Sequence, residues 1–99
     1  KMKSHYLKRR NFIVNRFRDI GLPCHMPEGA FYVFPDISST GLNAKDFALE
    51  LLKSEKVAVV PGDAFGSHCG NHIRCSFATS IDNLKEAMKR IERFVASRG

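Results

Sequence analysis

Arg74 lies in the middle of a segment, residues 72–78 (HIRCSFA), that otherwise has the composition of an apolar strand. Side chains alternate across a strand, so Ile73, Cys75 and Phe77 share one face and Arg74 lies on the other. A guanidinium presents a planar fork of N–H donors that matches a carboxylate or phosphate in a bidentate pair. The pattern predicts that Arg74 holds the carboxylate of a small substrate. The alternative is an arginine on the solvated face of a half-open sheet.

A second group of residues with possible chemistry is the pair of histidines and pair of cysteines in residues 68–75. Cys69, His72 and Cys75 have the ligand types of a zinc site. On a strand, however, His72 and Cys75 point to opposite faces, and Cys75 is better explained as a small buried hydrophobe. A Cys–His nucleophile pair lacks a third, orienting group. We therefore expect neither a metal site nor a catalytic thiol.

Length, charge and cysteine usage limit the class of protein. Ninety-nine residues are enough for one domain with one core. There is no apolar run long enough to cross a membrane, and the first residues lack the apolar stretch of a signal peptide. Because Lys1 precedes Met2, we expect the chain to begin inside a longer protein. The three cysteines form no C-x-x-C pair and their odd number leaves a thiol free, which favours the cytoplasm.

The net charge of +6 is concentrated at the start of the chain. Residues 1–18 hold seven of the sixteen Lys and Arg residues and none of the ten acids, so residues 19–99 carry nine bases against ten acids. This leaves open a free-standing basic α+β module that contacts nucleic acid or an acidic partner. Against it, the basic residues come from one segment, and the sheet lacks the glycine-aromatic signatures of RNA-binding sheets.

Apolar spacing predicts the order α-β-α-β-β-α, an α/β fold (an α+β two-layer sandwich) with helices packed on a small sheet of about three strands. We predict strands at 30–34, 57–60 and 72–78, the second covered on both faces because it is wholly apolar. Gly21 is expected to stop the first helix, Asn43 to cap the second, and Ser80 or Asp82 the third. The predicted buried positions of the helices are Tyr6, Ile13, Phe17, Ile20, Phe47, Ala48, Leu51, Leu52, Leu84, Ala87, Met88, Ile91, Phe94 and Val95.

Three segments carry a family resemblance: residues 27–36 (PEGAFYVFPD), 57–66 (VAVVPGDAFG) and 73–78 (IRCSFA), followed by the closing helix. In this order and spacing they resemble the C-terminal small domain of class I aminotransferases, pyridoxal-phosphate enzymes of fold type I. The closest similarity is to the bacterial-type aspartate aminotransferases. The resemblance extends over nearly the whole chain, from about Tyr6 to Val95, and three motifs in order make it specific.

The resemblance implies that residues 1–99 are the substrate-clamping small domain and that the cofactor-binding large domain is absent from this chain. Arg74 matches the family arginine that grips the α-carboxylate of the substrate. Gly29 and Phe31 resemble the part of the small domain that closes over the substrate, although a plain core aromatic would explain Phe31 equally well. Asp63, in the loop after the second strand, is expected to be solvated.

For the full-length protein the resemblance implies a pyridoxal-phosphate-dependent aminotransferase that moves the amino group of an amino acid, aspartate in this branch, to a 2-oxo acid. The family's Ser-x-x-Lys segment, its pyridine-binding aspartate and its phosphate-binding arginine are not found in this sequence. We therefore expect the missing large domain to bind the cofactor, and the 99-residue chain alone to be inactive. The parent enzyme is expected to be a cytoplasmic homodimer (organellar if a transit peptide precedes this chain) without nucleic-acid or membrane partners.

Overall fold

The computed structural model describes residues 2–27, 29–62 and 70–98. Within these ranges the elements follow the predicted order and confirm the predicted fold class, with three helices against a three-stranded antiparallel sheet. No helix in the described ranges has the length and apolar character needed to cross a membrane. The elements are α1 (Met2–Asp19), β1 (Tyr32–Val33), a 3₁₀-helix (Ser38–Thr40), α2 (Ala44–Glu55), β2 (Val60–Pro61), β3 (Ile73–Ser76) and α3 (Ile81–Arg98).

The sheet has β3 in the centre, with β1 on one side and β2 on the other. Both neighbours run antiparallel to β3. Because β3 has a partner at each edge, a side chain on it projects from backbone that is held from two sides. The pairs in register are Tyr32–Ser76, Val33–Cys75, Val60–Arg74 and Pro61–Ile73, and an isolated bridge joins Asp36 to His72.

Helix α1 ends at Asp19, just before Gly21, the residue predicted to stop it. This glycine has φ +89°, in the left-handed region that favours glycine. Its N–H donates to the carbonyl of Arg18 (3.1 Å), and the N–H of Leu22 donates to that of Phe17 (2.9 Å). These two bonds form a Schellman closure, which satisfies carbonyls at the helix end. Leu22 and Phe17 are both fully buried, so the closure also places an apolar side chain in the core.

Helices α2 and α3 begin at side-chain caps. The Asn43 side chain accepts a hydrogen bond from the N–H of Asp46 (2.8 Å), which confirms the predicted cap. The Ser80 hydroxyl oxygen accepts one from the N–H of Asn83 (3.2 Å). Ser80 is therefore the cap of α3, and Asp82 lies in the first turn, where its charge is favourable to the helix dipole.

One core lies between the helices and one face of the sheet. Most apolar positions predicted from the helical spacing contribute to it. Two predicted positions differ: Leu52 is 47% exposed, and Ala87 is only half-buried. Leu52 lies beyond the edge of the buried stripe of α2, because it follows by one turn Ala48, the least buried member of that stripe. The stripe consists of Ala44, Phe47, Ala48 and Leu51.

The prediction for the second strand was wrong in its extent and in its burial. Only Val60–Pro61 pairs with β3, and the preceding Ala58 is exposed. Val57 and Val59 are half-buried. The reason is position: β2 is at the edge of the sheet with α2 packed beside it, so in the described part of the chain this apolar run is covered only partly. Strand β1 is likewise shorter than the predicted 30–34.

Candidate functional site

Arg74 projects from the central strand on the face opposite the core. Ile73 and Cys75 are buried, whereas Arg74 is half-buried and Ser76 is exposed. The alternation continues to Phe77, which is fully buried. The predicted division of this strand into an apolar and a polar face is therefore confirmed. Since β3 is paired at both edges, the Cα of Arg74 has little freedom to move relative to the sheet.

The face that carries Arg74, here called the outer sheet face, includes Tyr32, Phe34 and Ser76, together with Val60, which is paired with Arg74. The guanidinium carbon of Arg74 lies 4.4 Å from the centroid of the Tyr32 ring. Tyr32 and Phe34 are 40% and 47% exposed, high values for aromatic side chains in a protein of this size. A guanidinium beside an exposed aromatic ring suits a small organic anion, because the donors bind the charged end and the ring covers the apolar part.

Phe31 lies on the other side of the sheet from Arg74. Its ring is 5.2 Å from that of Tyr6 and 5.8 Å from that of Phe77 (centroid to centroid), and it is 41% exposed. The Tyr6 hydroxyl donates to the carbonyl of Ala30 (2.8 Å), which ties α1 to the start of β1. Phe31 is therefore a rim residue of an aromatic cluster. The structure does not bring it together with Arg74 on one face.

Gly29 occupies the turn before β1. Its φ is +82°, and a Cβ built there would meet no heavy atom within 4 Å. The requirement for glycine is thus one of backbone conformation and not of space. Gly29 sets the direction in which the chain enters Phe31 and β1, so its place in the fold is structural. A contact with substrate stays a prediction.

Sequence reasoning missed a pocket of about 350 Å³ at one end of the outer sheet face, here called the Asp36 pocket. The Asp36 carboxylate accepts hydrogen bonds from the N–H (2.9 Å) and hydroxyl (2.7 Å) of Ser38, and these bonds, aided by nearby His72, hold the pKa of Asp36 below its usual value. Nδ1 of His72 is buried without a hydrogen-bond partner in the described structure. The pocket depends on a bridge between residues 36 apart in sequence, which no local pattern reveals. It is lined by Arg18, Pro23, Cys24, His25, Phe34, Asp36 and His72.

The two described cysteines are buried, free thiols. Burial raises the pKa of Cys75 to about 12 and that of Cys24 to about 11. A thiol with such a pKa is protonated at neutral pH, so it is a poor nucleophile and a poor metal ligand. Cys75 is the buried hydrophobe that the strand pattern predicted. His68 and Cys69, the other members of the zinc hypothesis, lie outside the described residues.

Several bases of α1 bind other parts of the same domain. Arg10 is half-buried, as expected of a side chain that extends along the edge of the apolar stripe. These contacts fasten the loop after α1 and the helix α3. Of the three arginines involved, only Arg16 is paired with a carboxylate, and the two that donate to carbonyls keep their charge. The contacts are Arg10 with the carbonyl of Pro27, Arg18 with the carbonyl of Cys24, and Arg16 with the carboxylate of Glu92.

Comparison of the sequence with known proteins shows which family the chain resembles. The model of the family described as aminotransferase class I and II matches residues 1–91. The chain is 55% identical over 95 residues to a protein of Bacillus subtilis (strain 168) that is named as an aminotransferase without a substrate, covering 96% of this chain and 25% of that protein. It is 46% identical over 92 residues to the aspartate aminotransferase of Pyrococcus abyssi, covering 93% and 24%.

A solved structure agrees with these sequence relatives. The crystal structure of the aromatic aminotransferase from Pyrococcus horikoshii OT3 superimposes with a TM-score of 0.93 at 45% identity, covering 98% of this chain and 26% of that one. The chain thus spans about a quarter of the length of the curated relatives it matches.

Proposed function

Because the chain belongs to the class I and II aminotransferases, we propose that it is the C-terminal small domain of a pyridoxal-phosphate-dependent aminotransferase and that Arg74 binds the substrate α-carboxylate. The observation that carries this proposal is the position of Arg74 on the central strand of the sheet, on the face away from the core and beside an exposed aromatic ring.

A carboxylate-binding arginine contributes most when its position is fixed before the substrate arrives. The pairing of β3 with β1 and β2 supplies a rigid base for Arg74. Its fork of donors can hold both oxygens of a carboxylate, and two parallel hydrogen bonds define the orientation of the bound group as well as its place. Holding an amino acid by its carboxylate fixes the direction of its Cα–H bond, and such orientation governs the rate of the chemical step.

The described residues do not fit as the site that holds the cofactor. A cofactor bound through a lysine requires that lysine beside the reacting groups. The lysines whose side chains are described are instead solvent-exposed at the surface: Lys8, Lys45, Lys53, Lys56, Lys85 and Lys89. Pyridoxal phosphate, held by the remainder of the parent chain, would supply the electron sink for amino-group transfer. We therefore expect the 99-residue chain to bind substrate weakly and to be inactive alone.

The remaining parts of the proposal concern the parent protein. We propose that it transfers the amino group of aspartate to a 2-oxo acid, since aspartate aminotransferase is the name that recurs among its relatives. A relative of similar identity is named for aromatic amino acids, so the side-chain preference depends on residues outside this chain. A homodimer in the cytoplasm is the assembly and location that we infer from the family resemblance and the free thiols.

Replacement of Arg74 in the full-length protein tests this function. With aspartate and 2-oxoglutarate, we expect Arg74→Ala to lower kcat/KM by about 30- to 1000-fold, because loss of one partner from a desolvated charge pair costs about 2–4 kcal/mol. Arg74→Lys should recover only part of the loss, since an ammonium cannot form the bidentate pair. The matched control is Arg98→Ala, which removes another arginine placed over an aromatic ring, on α3. Equal activity of Arg74→Ala and Arg98→Ala would refute the role of Arg74.

A further inference from the structure

Tyr32 contacts Arg74 through the face of its ring. In the sheet register Tyr32 is opposite Ser76, so Arg74 is its diagonal neighbour on the adjacent strand. Diagonal neighbours on one face are within reach of aromatic and long side chains. The distance of 4.4 Å from the guanidinium carbon to the ring centroid is within the range of a cation–π contact. The backbone of both strands fixes this pairing.

The kind of contact matters for a carboxylate-binding arginine. An arginine side chain is long and flexible, so holding its guanidinium in one place beforehand removes an entropic cost from substrate binding. An aromatic face attracts the cation without supplying a carboxylate that the substrate must displace.

We propose that Tyr32 is a positioning residue for Arg74: its ring holds the guanidinium on the outer sheet face in the place where the substrate carboxylate binds. This inference rests on the proposed function of Arg74. Tyr32 acts on the substrate through the arginine. The ring is the active part, because the guanidinium carbon lies over its face.

The proposal predicts a change in KM with little change in kcat. In the Tyr32 variants Arg74 is still present and still forms the bidentate pair once the substrate is bound, so the orientation of the Cα–H bond and kcat change little. The cost of ordering the guanidinium then falls on binding and raises KM. We expect Tyr32→Leu to raise KM for the amino donor about three- to tenfold, the size of a cation–π contact expressed as an affinity ratio. Tyr32→Phe keeps the ring face and should stay within about twofold of wild type.

The test uses the full-length enzyme and whichever of aspartate, alanine, tyrosine and phenylalanine wild type turns over best. Steady-state KM and kcat are measured for wild type, Tyr32→Leu, Tyr32→Phe, Arg74→Ala and the double variant Tyr32→Leu/Arg74→Ala. In the double variant we expect the loss to equal that of Arg74→Ala alone, because the ring has no guanidinium left to hold. Tyr32→Gln, a second substitution without a ring, should repeat the rise in KM if Tyr32→Leu does not fold.

The outcomes separate this inference from the proposed function. If Arg74→Ala has the KM and kcat of wild type, the proposed function is wrong, and the inference with it. If Arg74→Ala is impaired but the two ringless variants match wild type, only the positioning role of Tyr32 is wrong. That role is also wrong if the effects of Tyr32→Leu and Arg74→Ala add fully in the double variant, since full additivity marks independent roles.

Discussion

The aromatic cluster of Tyr6, Phe31 and Phe77 gives a prediction that tests whether Phe31 lies at the rim of the core. Phe77 is fully buried, and its replacement by alanine should cost about 3–5 kcal/mol of the free energy of unfolding, the range for a large core aromatic. Full burial of a phenylalanine side chain contributes about 1.5–3 kcal/mol to the free energy of unfolding. Because Phe31 is only partly buried, Phe31→Ala should lose about 1–2 kcal/mol of this burial energy. Its edge-to-face contact with Tyr6 adds about 0.5–1.5 kcal/mol.

The assay is equilibrium urea unfolding of the 99-residue chain followed by far-ultraviolet circular dichroism, which reports on the three described helices. We expect Phe77→Ala to be less stable than Phe31→Ala by about 1.5 kcal/mol, the difference between the middles of the two ranges. The control is Tyr6→Phe, which keeps the ring and removes only the hydrogen bond to the carbonyl of Ala30, worth about 0.5–1.5 kcal/mol. Equal losses for Phe31→Ala and Phe77→Ala would refute the assignment of Phe31 to the rim. A Phe31→Ala variant as stable as wild type would refute the energetic role of the cluster.

Three further predictions concern a turn, a carboxylate and two thiols. Gly29→Ala should lower the free energy of unfolding by about 1 kcal/mol, because alanine is strained at the positive φ of this position. The measurement is the shift of the urea midpoint. The control is Gly70→Ala, at a glycine with similar open space and no positive φ, and equal shifts of the two variants would contradict the prediction. The folded-state pKa of Asp36 is lowered, so its stabilisation is complete above the usual value of 3.8 and is lost as the pH falls through the folded-state pKa. The stability difference between wild type and Asp36→Asn should therefore be constant near neutral pH and shrink below about pH 4 in urea titrations; a difference that does not change with pH would contradict the assignment. In a Cys69→Ser background, Cys24 and Cys75 of the folded chain should react with iodoacetamide at pH 8 far more slowly than the same thiols unfolded in 8 M urea. The reason is that burial raises the pKa of both thiols. Rapid labelling of the folded chain would refute this.

Local chemistry explains what could be predicted from the sequence. Alternation along residues 73–77 identified the face of Arg74 because it depends only on strand geometry. The cap at Asn43 and the stop at Gly21 were predicted for the same reason, since each is decided within a few residues. For the third helix the same reasoning left Ser80 and Asp82 as alternatives, and the structure selects Ser80.

What could not be predicted depends on distant packing. The partial exposure of residues 57–60 follows from the place of β2 at the sheet edge, which its apolar composition does not specify. The Asp36 pocket requires the bridge between Asp36 and His72, and the stacking of Tyr32 on Arg74 requires the register of β1 against β3. For Phe31 the sequence left a pocket residue and a core aromatic as alternatives. The structure packs its ring against Tyr6 and Phe77, and a contact with substrate stays a prediction.

The short edge strand β2 affects how this domain would associate with copies of itself. A sheet edge with free N–H and C=O groups is a template for adding strands from other molecules, and proteins limit this with short edge strands and proline. Here β2 has two residues, of which Pro61 has no N–H to donate. On the other side, the N–H of Asp36, just after β1, donates to the carbonyl of Pro23 (2.8 Å). Self-association of the isolated domain should therefore proceed through the exposed aromatic side chains, as reversible clusters, and not through growth of the sheet into fibrils.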